Sequence, residues 1–539
     1  MSDQEADLTP RTSLVETKLP LLPGIQSQTP LLAPIYRLPP DILLLIFHSM
    51  ACAVHAKHRD SIRLLISLLT VSRMWRRVTL KCFELWTRLY AGLPEGVFGT
   101  FLNHSRSAPL EFHFVSAPSL DFSQYLSLLS PHRNRLAACY LYGVREREIF
   151  PLLAERLPTL ETLSLTSSSG HSGDHVEHLH AQGALQSGLT NTPRLRELVL
   201  SGMYLSLWPH NLSHLTKLSL GRITYDPNDS PDAFLRLFRA LEGTPLLEEL
   251  YILDIGITNL PTEPIPAKVP IQLSNLRIME VERPSPPEFS QYVLSAITAP
   301  PFLSFKFAGW REASPSDVLP RWSPVHPSLP GLADIYDLDV AVACSKCTEM
   351  VDITTTGLSH QSKAPVFRIE IVQHSDDILD DTFPSIMEGL HQVLPDMPFL
   401  TILSLSNYVP RGSYGAGSSR RQTAQLFTEF LDRHPQIEEL SLMSFYDTWT
   451  EALVAVTARG HVCPRLRKLT LHRCIHITGE TLTDIVTRRA KCNGGHLEEL
   501  VIYDCLGVDE ETVLHIKTLV AQVTFFNLED VSPSSAVPV

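Results

Sequence analysis

The stretch that decides the fold is Leu466-Arg-Lys-Leu469-Thr-Leu471, in which leucine stands at the first, fourth and sixth positions. Leu469 and Leu471 are two residues apart, so on a short β-strand their side chains point to one face and Thr470 points to the other. A single strand cannot shield a leucine-lined face from water. The pattern therefore predicts a strand that packs beside copies of itself.

The same template, LxxLxL with aliphatic substitution, recurs along most of the chain. Clear copies begin at Leu195, Leu215, Leu247, Leu400, Ile437, Leu466 and Leu497. Weaker copies begin at Leu136, Leu160, Leu276, Phe302, Ile335 and Val366. The mean spacing of the thirteen starts is about 30 residues, a period typical of repeat proteins. We therefore predict an α/β fold, a solenoid with a curved parallel sheet and helices on its convex side.

Helices are predicted between the strands, notably over Asp232–Leu241 and Gln425–Arg433, where apolar residues recur at threes and fours. The C-terminal copies resemble the cysteine-containing subtype of leucine-rich repeats. The matching residues are Leu466, Leu469, Leu471, Cys474, Ile477, Thr478, Leu482 and Ile485, and Cys505 repeats the cysteine position. The resemblance implies that both thiols pack in the interior. Spacings of 20 to 37 residues in the middle of the array leave the number of repeats and the curvature open.

Residues 35 to 90 follow a helical period instead. Apolar residues lie at threes and fours from Leu64 to Val78, and Pro39, Pro40 and Asp41 are typical of a helix start. The segment has nine basic and three acidic residues, a net charge of +6. Because the whole chain has a net charge of −13, the remaining residues carry −19. A small basic helical domain is therefore predicted in front of an acidic repeat array.

This segment resembles the F-box motif. The matching phrases are Leu38-Pro39-Pro40-Asp41-Ile42-Leu43, Ile46-Phe47, Leu68, Val71-Ser72-Arg73, Trp75-Arg76 and Leu85-Trp86. The main departure is a longer polar insert between His48 and Ser61. The phrase from Ser105 to Leu110 is similar to the one that follows the F-box in many fungal proteins that end in leucine-rich repeats.

The resemblance implies three helices that dock on an acidic Skp-family adaptor and through it reach a cullin. Nine residues would then be partly core and partly adaptor contact: Leu38, Pro39, Ile42, Leu43, Ile46, Phe47, Val71, Trp75 and Trp86. For any one of them, a purely structural role in a small helical core is about as probable. Arg73, Arg76 and Arg77 would steer the encounter with an acidic partner.

The resulting domain prediction has five parts. Residues 1–34 are a disordered N-terminal segment, 35–90 the F-box domain, 91–135 a connector and the start of the solenoid, 136–528 the leucine-rich repeats, and 529–539 a disordered tail. The acidic composition argues against a nucleic-acid or anionic-membrane partner. The N-terminus lacks a signal-like pattern, and no apolar run there is long enough for a membrane span, so an intracellular location, cytoplasmic or nuclear, is expected.

Several motifs suggest chemistry but favour a structural interpretation. The histidines of the stretch 171–180 lie in a long gap between copies, and Cys344 and Cys347 lack a second close pair. Gly412, Gly415 and Gly417 have no following Gly-Lys-Ser/Thr. The chain has no HExxH, GxSxG, kinase or Walker motif. We therefore expect no catalytic residue, metal or cofactor.

The acid pairs Glu248/Glu249, Glu438/Glu439 and Glu498/Glu499 occupy one template position, which predicts an exposed acidic lane that favours basic partners. The function predicted first is a non-enzymatic substrate-recognition subunit of an SCF-type ubiquitin ligase, whose repeats bind an unknown target protein. The alternative is a leucine-rich-repeat scaffold whose N-terminal helices only cap the array. An enzyme is a distant third.

Overall fold

The fold is mixed α/β with a long, mostly parallel sheet. The computed structural model describes residues 34–53, 58–118, 120–167, 192–202, 212–225, 237–257, 270–310, 315–320, 329–345, 350–374, 382–408, 418–445, 449, 452–457, 460–474, 476–491 and 496–527. Except for Pro34, the predicted disordered segments 1–34 and 529–539 lie outside these ranges. The chain divides into two compact units, Met1–Trp86 and Thr87–Val539.

The described part of the first unit contains three α-helices, α1 (Pro40–Ala53), α2 (His58–Val71) and α3 (Arg73–Lys81). Two short 3-10 helices, Pro34–Arg37 and Phe83–Trp86, stand before and after them. Proline at the first position of α1 needs no amide partner, and the following Asp41 faces the positive end of the helix dipole. Ser72 caps α3 by accepting a hydrogen bond from the Trp75 amide at 3.2 Å.

The second unit contains one sheet that has seventeen strands within the described residues. In chain order they are β1 (Arg88–Tyr90), β2 (Leu110–Val115), β3 (Leu136–Tyr142), β4 (Thr162–Thr166), β5 (Glu197–Ser201), β6 (Lys217–Tyr225), β7 (Glu249–Ile257), β8 (Ile278–Glu282), β9 (Ser304–Trp310), β10 (Ile335–Ser345), β11 (Met350–Ser359), β12 (Pro365–His374), β13 (Ile402–Tyr408), β14 (Glu439–Met443), β15 (Lys468–His472), β16 (Glu499–Tyr503) and β17 (Gln522–Phe526). Each of the thirteen predicted template copies coincides with one of these strands.

The register aligns the leucines of successive copies. Leu440, Leu469 and Leu500 are direct partners across β14, β15 and β16, and each is at most 1% exposed. The intervening residues point to the opposite face, as the period of two predicts. Strand pairing and leucine burial are therefore satisfied together by one parallel register.

The order of strands departs from the chain order at one place. β10, β11 and β12 form an antiparallel meander, and the sheet runs β9, β12, β11, β10, β13. The template copies at Ile335 (β10) and Val366 (β12) are predicted to be adjacent strands in chain order. In the structure β11 lies between them, and β12 rather than β10 pairs with the preceding strand β9. β11 was not predicted, because its alternating Val351, Ile353 and Thr355 do not fit the leucine template.

The sheet also begins earlier than predicted. β1 pairs with β2, and β2 pairs with β3, both in parallel. Residues 87–90 thus belong to the second unit, although the sequence placed them in the F-box domain, and the predicted connector contains β2. The sequence missed both strands because β1 has only three residues and β2 carries Phe112 and Phe114 where the template has leucine.

Helices occupy many connections between strands. Their bounds are Glu95–His104, Phe122–Leu129, Glu146–Ala154, Phe289–Ala296, Pro315–Val318, Thr382–Val393, Ser418–Arg433, Gly479–Ala490 and Glu510–Ile516. Short 3-10 helices span Ser130–Arg135, Pro330–Asp334 and Ala452–Val454, and two-residue strands pair Ile271–Gln272 with Ile297–Thr298 and Val456–Thr457 with Gly460–His461. The predicted helix Gln425–Arg433 lies within Ser418–Arg433, and the predicted helix Asp232–Leu241 is helical over its described residues, which start at 237. Across the described ranges, no helix is both long and apolar enough to cross a bilayer.

The connection after Ser418–Arg433 buries a histidine. His434 is 0% exposed, its ring lies 4.7 Å from that of Phe430, and its Nε2 atom accepts a hydrogen bond from Arg433 Nε at 3.4 Å. Arg433 also donates to the carbonyl oxygens of His391 and Leu394, at the end of helix Thr382–Val393. Burial, and then the Arg433 and His391 charges, lower the pKa of His434 to about 3.

We expect this histidine to make the second unit less stable in acid. An unfolded histidine has a pKa of about 6.5, so below that pH the unfolded chain takes up a proton that folded His434 refuses, and stability is lost as pH falls toward 3. At pH 5 the loss is about 2 kcal/mol. Urea unfolding of the full chain between pH 7.5 and 4.5 measures it. His434→Phe, which keeps an aromatic ring against Phe430 but cannot titrate, should flatten the profile; an unchanged pH dependence would contradict the assignment.

Candidate functional site

The first unit has a compact apolar core. Leu43, Phe47, Leu68, Trp75 and Val78 are all at most 9% exposed and form one cluster. The Phe47 and Trp75 rings meet at a centroid distance of 4.9 Å. Residues packed around the cluster are Leu38, Leu44, Ile46, Leu64, Met74 and Leu85. The core therefore joins α1, α2 and α3.

The nine residues predicted for adaptor binding fall into three groups. Leu43, Phe47, Trp75 and Trp86 are buried, and Trp86 Nε1 donates a hydrogen bond to the Thr79 carbonyl oxygen at 3.0 Å. Leu38 and Ile46 are half-buried against the core. Pro39, Ile42 and Val71 are exposed. The four buried residues can support a binding surface but cannot form it.

A second apolar stripe on α1 is exposed. Ile42 is 41% exposed and Leu45 is 67% exposed, whereas Leu43 and Phe47 are fully buried. At about 100° of rotation per residue, Ile42 and Leu45 lie about 60° apart and share a face that differs from that of Leu43 and Phe47. Further exposed apolar residues of this unit are Ile35, Met50, Ile66, Val71 and Phe83. The helix thus has one stripe in the core and another in solvent.

The sequence analysis missed Leu45, which is more exposed than the other apolar side chains described in α1. The stretch Ile42–Phe47 is entirely apolar, so no polar residue marks the solvent side of the helix. Ile42 and Leu45 are three residues apart, a spacing that places two side chains on one helix face. That spacing was the available signal, but only the position of α2 and α3 decides which face is covered.

Basic residues accompany the apolar surface. Arg73, Arg76 and Arg77 of α3 are exposed, whereas Trp75 and Val78 of the same helix enter the core. α3 therefore presents charge to solvent while its apolar stripe holds the unit together. Exposed guanidinium groups raise the rate of encounter with an acidic partner more than they strengthen the final complex.

The second candidate surface is the sheet face opposite the leucines, which we call the open face. On β14, β15 and β16 it carries Glu439, Ser441, Met443, Lys468, Thr470, His472, Glu499, Val501 and Tyr503. Charges on this face are paired laterally between neighbouring strands. The pairs include Arg88–Glu111 at 3.1 Å, Lys217–Glu249 at 3.3 Å, Lys306–Glu280 at 2.5 Å and Lys468–Glu499 at 3.3 Å.

The predicted acidic lane is therefore only partly correct. Glu249 and Glu499 are neutralised by lysines of adjacent strands, and Glu498 lies 3.7 Å from Arg467. The sequence analysis compared acids at one template position and overlooked that Lys217 and Lys468 occupy the same position in neighbouring copies. Lateral pairs of this kind contribute about 0 to 1 kcal/mol each, but they remove the net field of the lane.

Among the described residues of the open face, aromatic side chains stack at its N-terminal and C-terminal ends. At the N-terminal end His113 lies between Tyr90 and Tyr140, with centroid distances of 4.9 and 4.6 Å. Its Nε2 atom is 2.7 Å from Glu111, whose pKa is lowered by His113 and Arg88 against the opposing effect of burial. At the C-terminal end His472 stacks on Tyr503 at 4.6 Å, and Tyr503 lies 6.0 Å from Phe526.

The cysteines predicted to pack are interior. Cys474 and Cys505 are at most 1% exposed and free, and their Sγ atoms donate to the Leu442 and Leu471 carbonyl oxygens at 3.4 and 3.7 Å. The His171–His180 stretch, Cys347 and Gly412–Gly417 lie outside the described residues, as does the side chain of Cys344. Within the described part of the chain, no three His, Cys, Asp or Glu residues are grouped as metal ligands.

The two surfaces are thus an exposed apolar stripe with nearby arginines on the first unit and a mixed polar and aromatic face on the second. Both are suited to contact with another macromolecule. Comparison with known proteins adds no assignment, since the chain matches no protein-family model and no curated protein.

Proposed function

We propose that this chain is the substrate-recognition subunit of an SCF-type ubiquitin ligase. The observation that carries the proposal is the exposed stripe of Ile42 and Leu45 on a helix whose other apolar face is already used by the core. An amphipathic helix that offers such a stripe is suited to a partner's hydrophobic groove. The resemblance of residues 38–86 to the F-box motif implies a Skp-family adaptor as that partner.

The chemistry of the first unit's surface supports this partner. Exposed aliphatic and aromatic anchors such as Leu45 and Phe83 supply most of the free energy in interfaces of this kind. Arg73, Arg76 and Arg77 complement an acidic adaptor surface and accelerate association. Buried Phe47 and Trp75 hold the three helices in the geometry that the adaptor binds.

In this proposal the second unit is a leucine-rich-repeat solenoid that binds the target protein. Thirteen template copies, each at a strand, and the aligned leucine columns support that assignment. The open face offers side chains from many strands to one extended ligand. The chain itself performs no chemistry; it raises the concentration of target lysines near the ubiquitin-conjugating enzyme that the cullin recruits.

The alternative is a leucine-rich-repeat scaffold with a helical cap. Capping needs apolar residues only on the side of the helices that faces the array. A capping role does not explain the additional exposed stripe, in which Leu45 is 67% exposed. The exposed stripe therefore favours the adaptor-binding function over the cap alone.

The direct test is binding of a purified Skp-family adaptor to the full chain. We expect a 1:1 complex in size-exclusion chromatography and, in cell extract, capture of the adaptor together with a cullin. A chain without residues 35–86 should lose both partners. If the purified adaptor and the full chain do not associate, the ligase function is rejected and the scaffold remains.

A further inference from the structure

One part of the open face keeps its acidic charge. Asp337 and Asp339 of β10 point to this face, and Glu439 of β14 lies two strands away in the same row as Asp337. Among the residues that the structure describes, none of these three carboxylates has a cation within 4.0 Å, unlike the paired acids elsewhere on the face. Lys468 is the register partner of Glu439 but pairs with Glu499, and Lys363, whose charge acts on Asp337, lies over the Tyr336 ring at 3.5 Å.

The surroundings of the two aspartates disfavour their charged forms. Burial raises the pKa of both groups, and the charges of Asp339 and Glu439 raise that of Asp337 further, while Lys363 offsets only part of this. A cation that arrived from outside would relieve this repulsion. It would also replace the water that the half-buried carboxylates have lost.

A row of small polar residues separates the two aspartates from a group of aromatic side chains. Asp339 is followed across the sheet by Ser404, Ser441 and Thr470, all half-buried small hydroxyl residues. Beyond them lies the stack of His472, Tyr503 and Phe526, whose last ring is 57% exposed. The small side chains leave room for a bound chain, and aromatic rings attract a guanidinium group through cation–π contact and stacking.

The distances fit one extended peptide. Asp339 and His472 are separated by three strand spacings of about 4.8 Å and by two residues along the strand, or about 16 Å in all. Side chains on one side of an extended chain recur every second residue, at about 3.3 Å per residue, so two arginines four positions apart, about 13 Å, reach both ends of this span with their long side chains. The N-terminal stack lacks this combination, because Glu111 there is already bound by Arg88 and His113.

We propose that the open face between β10 and β17 binds an extended segment of a partner protein that carries two arginines four residues apart. One guanidinium pairs with the carboxylates of Asp337 and Asp339. The other stacks on the His472 and Tyr503 rings. The inference rests on the proposed function, since it specifies the chemical class of the target, but the surface belongs wholly to the second unit.

The test uses a labelled peptide, acetyl-Arg-Gly-Ser-Gly-Arg-amide, and the full chain, with binding followed by fluorescence anisotropy at low ionic strength. Citrulline and lysine versions of the peptide are the matched ligands. We expect the citrulline peptide to bind at least about tenfold more weakly and the lysine peptide to lose about threefold, because lysine lacks the planar stacking of arginine.

Variants of the protein complete the test. Asp337→Asn with Asp339→Asn should weaken the arginine peptide about tenfold and Tyr503→Ser about fivefold. Glu249→Gln, which removes an acid already paired with Lys217, is the control and should change nothing. Equal binding of the arginine and citrulline peptides, or unchanged binding by the double variant, overturns the inference.

The two proposals can fail separately. Both aspartate substitutions lie in the second unit and should leave adaptor binding as it is in the unaltered chain. A chain that binds the arginine peptide but no adaptor counts against the ligase function alone. A chain that binds the adaptor while the double variant keeps full peptide affinity counts against the arginine site alone.

Discussion

Replacing both Ile42 and Leu45 by Asp should weaken binding of a purified Skp-family adaptor by about 100-fold or more. The two side chains are 41% and 67% exposed, so aspartate is accommodated in the free chain without entering the core. In the complex the same carboxylates would lie in an apolar groove, where they lose water and find no cation. The loss should appear in the dissociation rate measured by biolayer interferometry, since the proposed function places these residues in the contact itself.

A matched substitution separates contact from general surface chemistry. Leu514 lies on helix Glu510–Ile516 of the second unit and is 64% exposed, nearly the same as Leu45. Leu514→Asp introduces the same charge on an equally exposed helix and should not affect adaptor affinity. Circular dichroism should be unchanged in all variants. Adaptor affinity within about twofold of the unaltered chain in the Ile42/Leu45 variant would remove the stripe from the interface.

The strands could be predicted from the sequence because their signal is local. Leucines at the fourth and sixth template positions need only a period of two, and residues such as Leu469 and Leu471 are buried wherever the template occurs. Strand order is a non-local property. The inversion of β10, β11 and β12 depends on which edges pair, and no short pattern around Val351 or Ile353 specifies that.

The candidate surfaces were harder to predict for the same reason. The residues of α1 were identified as apolar, but the packing of α2 and α3 decides that Phe47 enters the core and Leu45 remains in solvent. On the sheet, Glu249 adds no net charge to the open face because it pairs with Lys217. Lys217 is 32 residues earlier in sequence and directly beside Glu249 in the structure. The sequence pattern of one strand does not predict which residue of the next strand lies beside it.

Truncation of the core should affect adaptor binding by a different route from the exposed stripe. Phe47 is 0% exposed and lies against Trp75, so Phe47→Ala should cost about 3–5 kcal/mol through lost burial and the cavity left behind. The three helices span only about fifty residues, and units of this size have little stability in reserve. We therefore expect the first unit to be largely unfolded in this variant while the second unit keeps its structure.

Hydrogen exchange on the full chain, followed by mass spectrometry, measures this effect locally. Peptides from α1, α2 and α3 should lose protection in Phe47→Ala, whereas peptides from β13 to β16 should exchange as before. Ile42→Ala is the matched control, because truncation of an exposed side chain on the same helix should cost less than about 0.5 kcal/mol. Phe47→Ala should also abolish adaptor binding. Because the first unit unfolds in this variant, the loss of binding does not show whether Phe47 contacts the adaptor. Full protection of α1 in Phe47→Ala would contradict its place in the core and would return Phe47 to the candidates for direct adaptor contact.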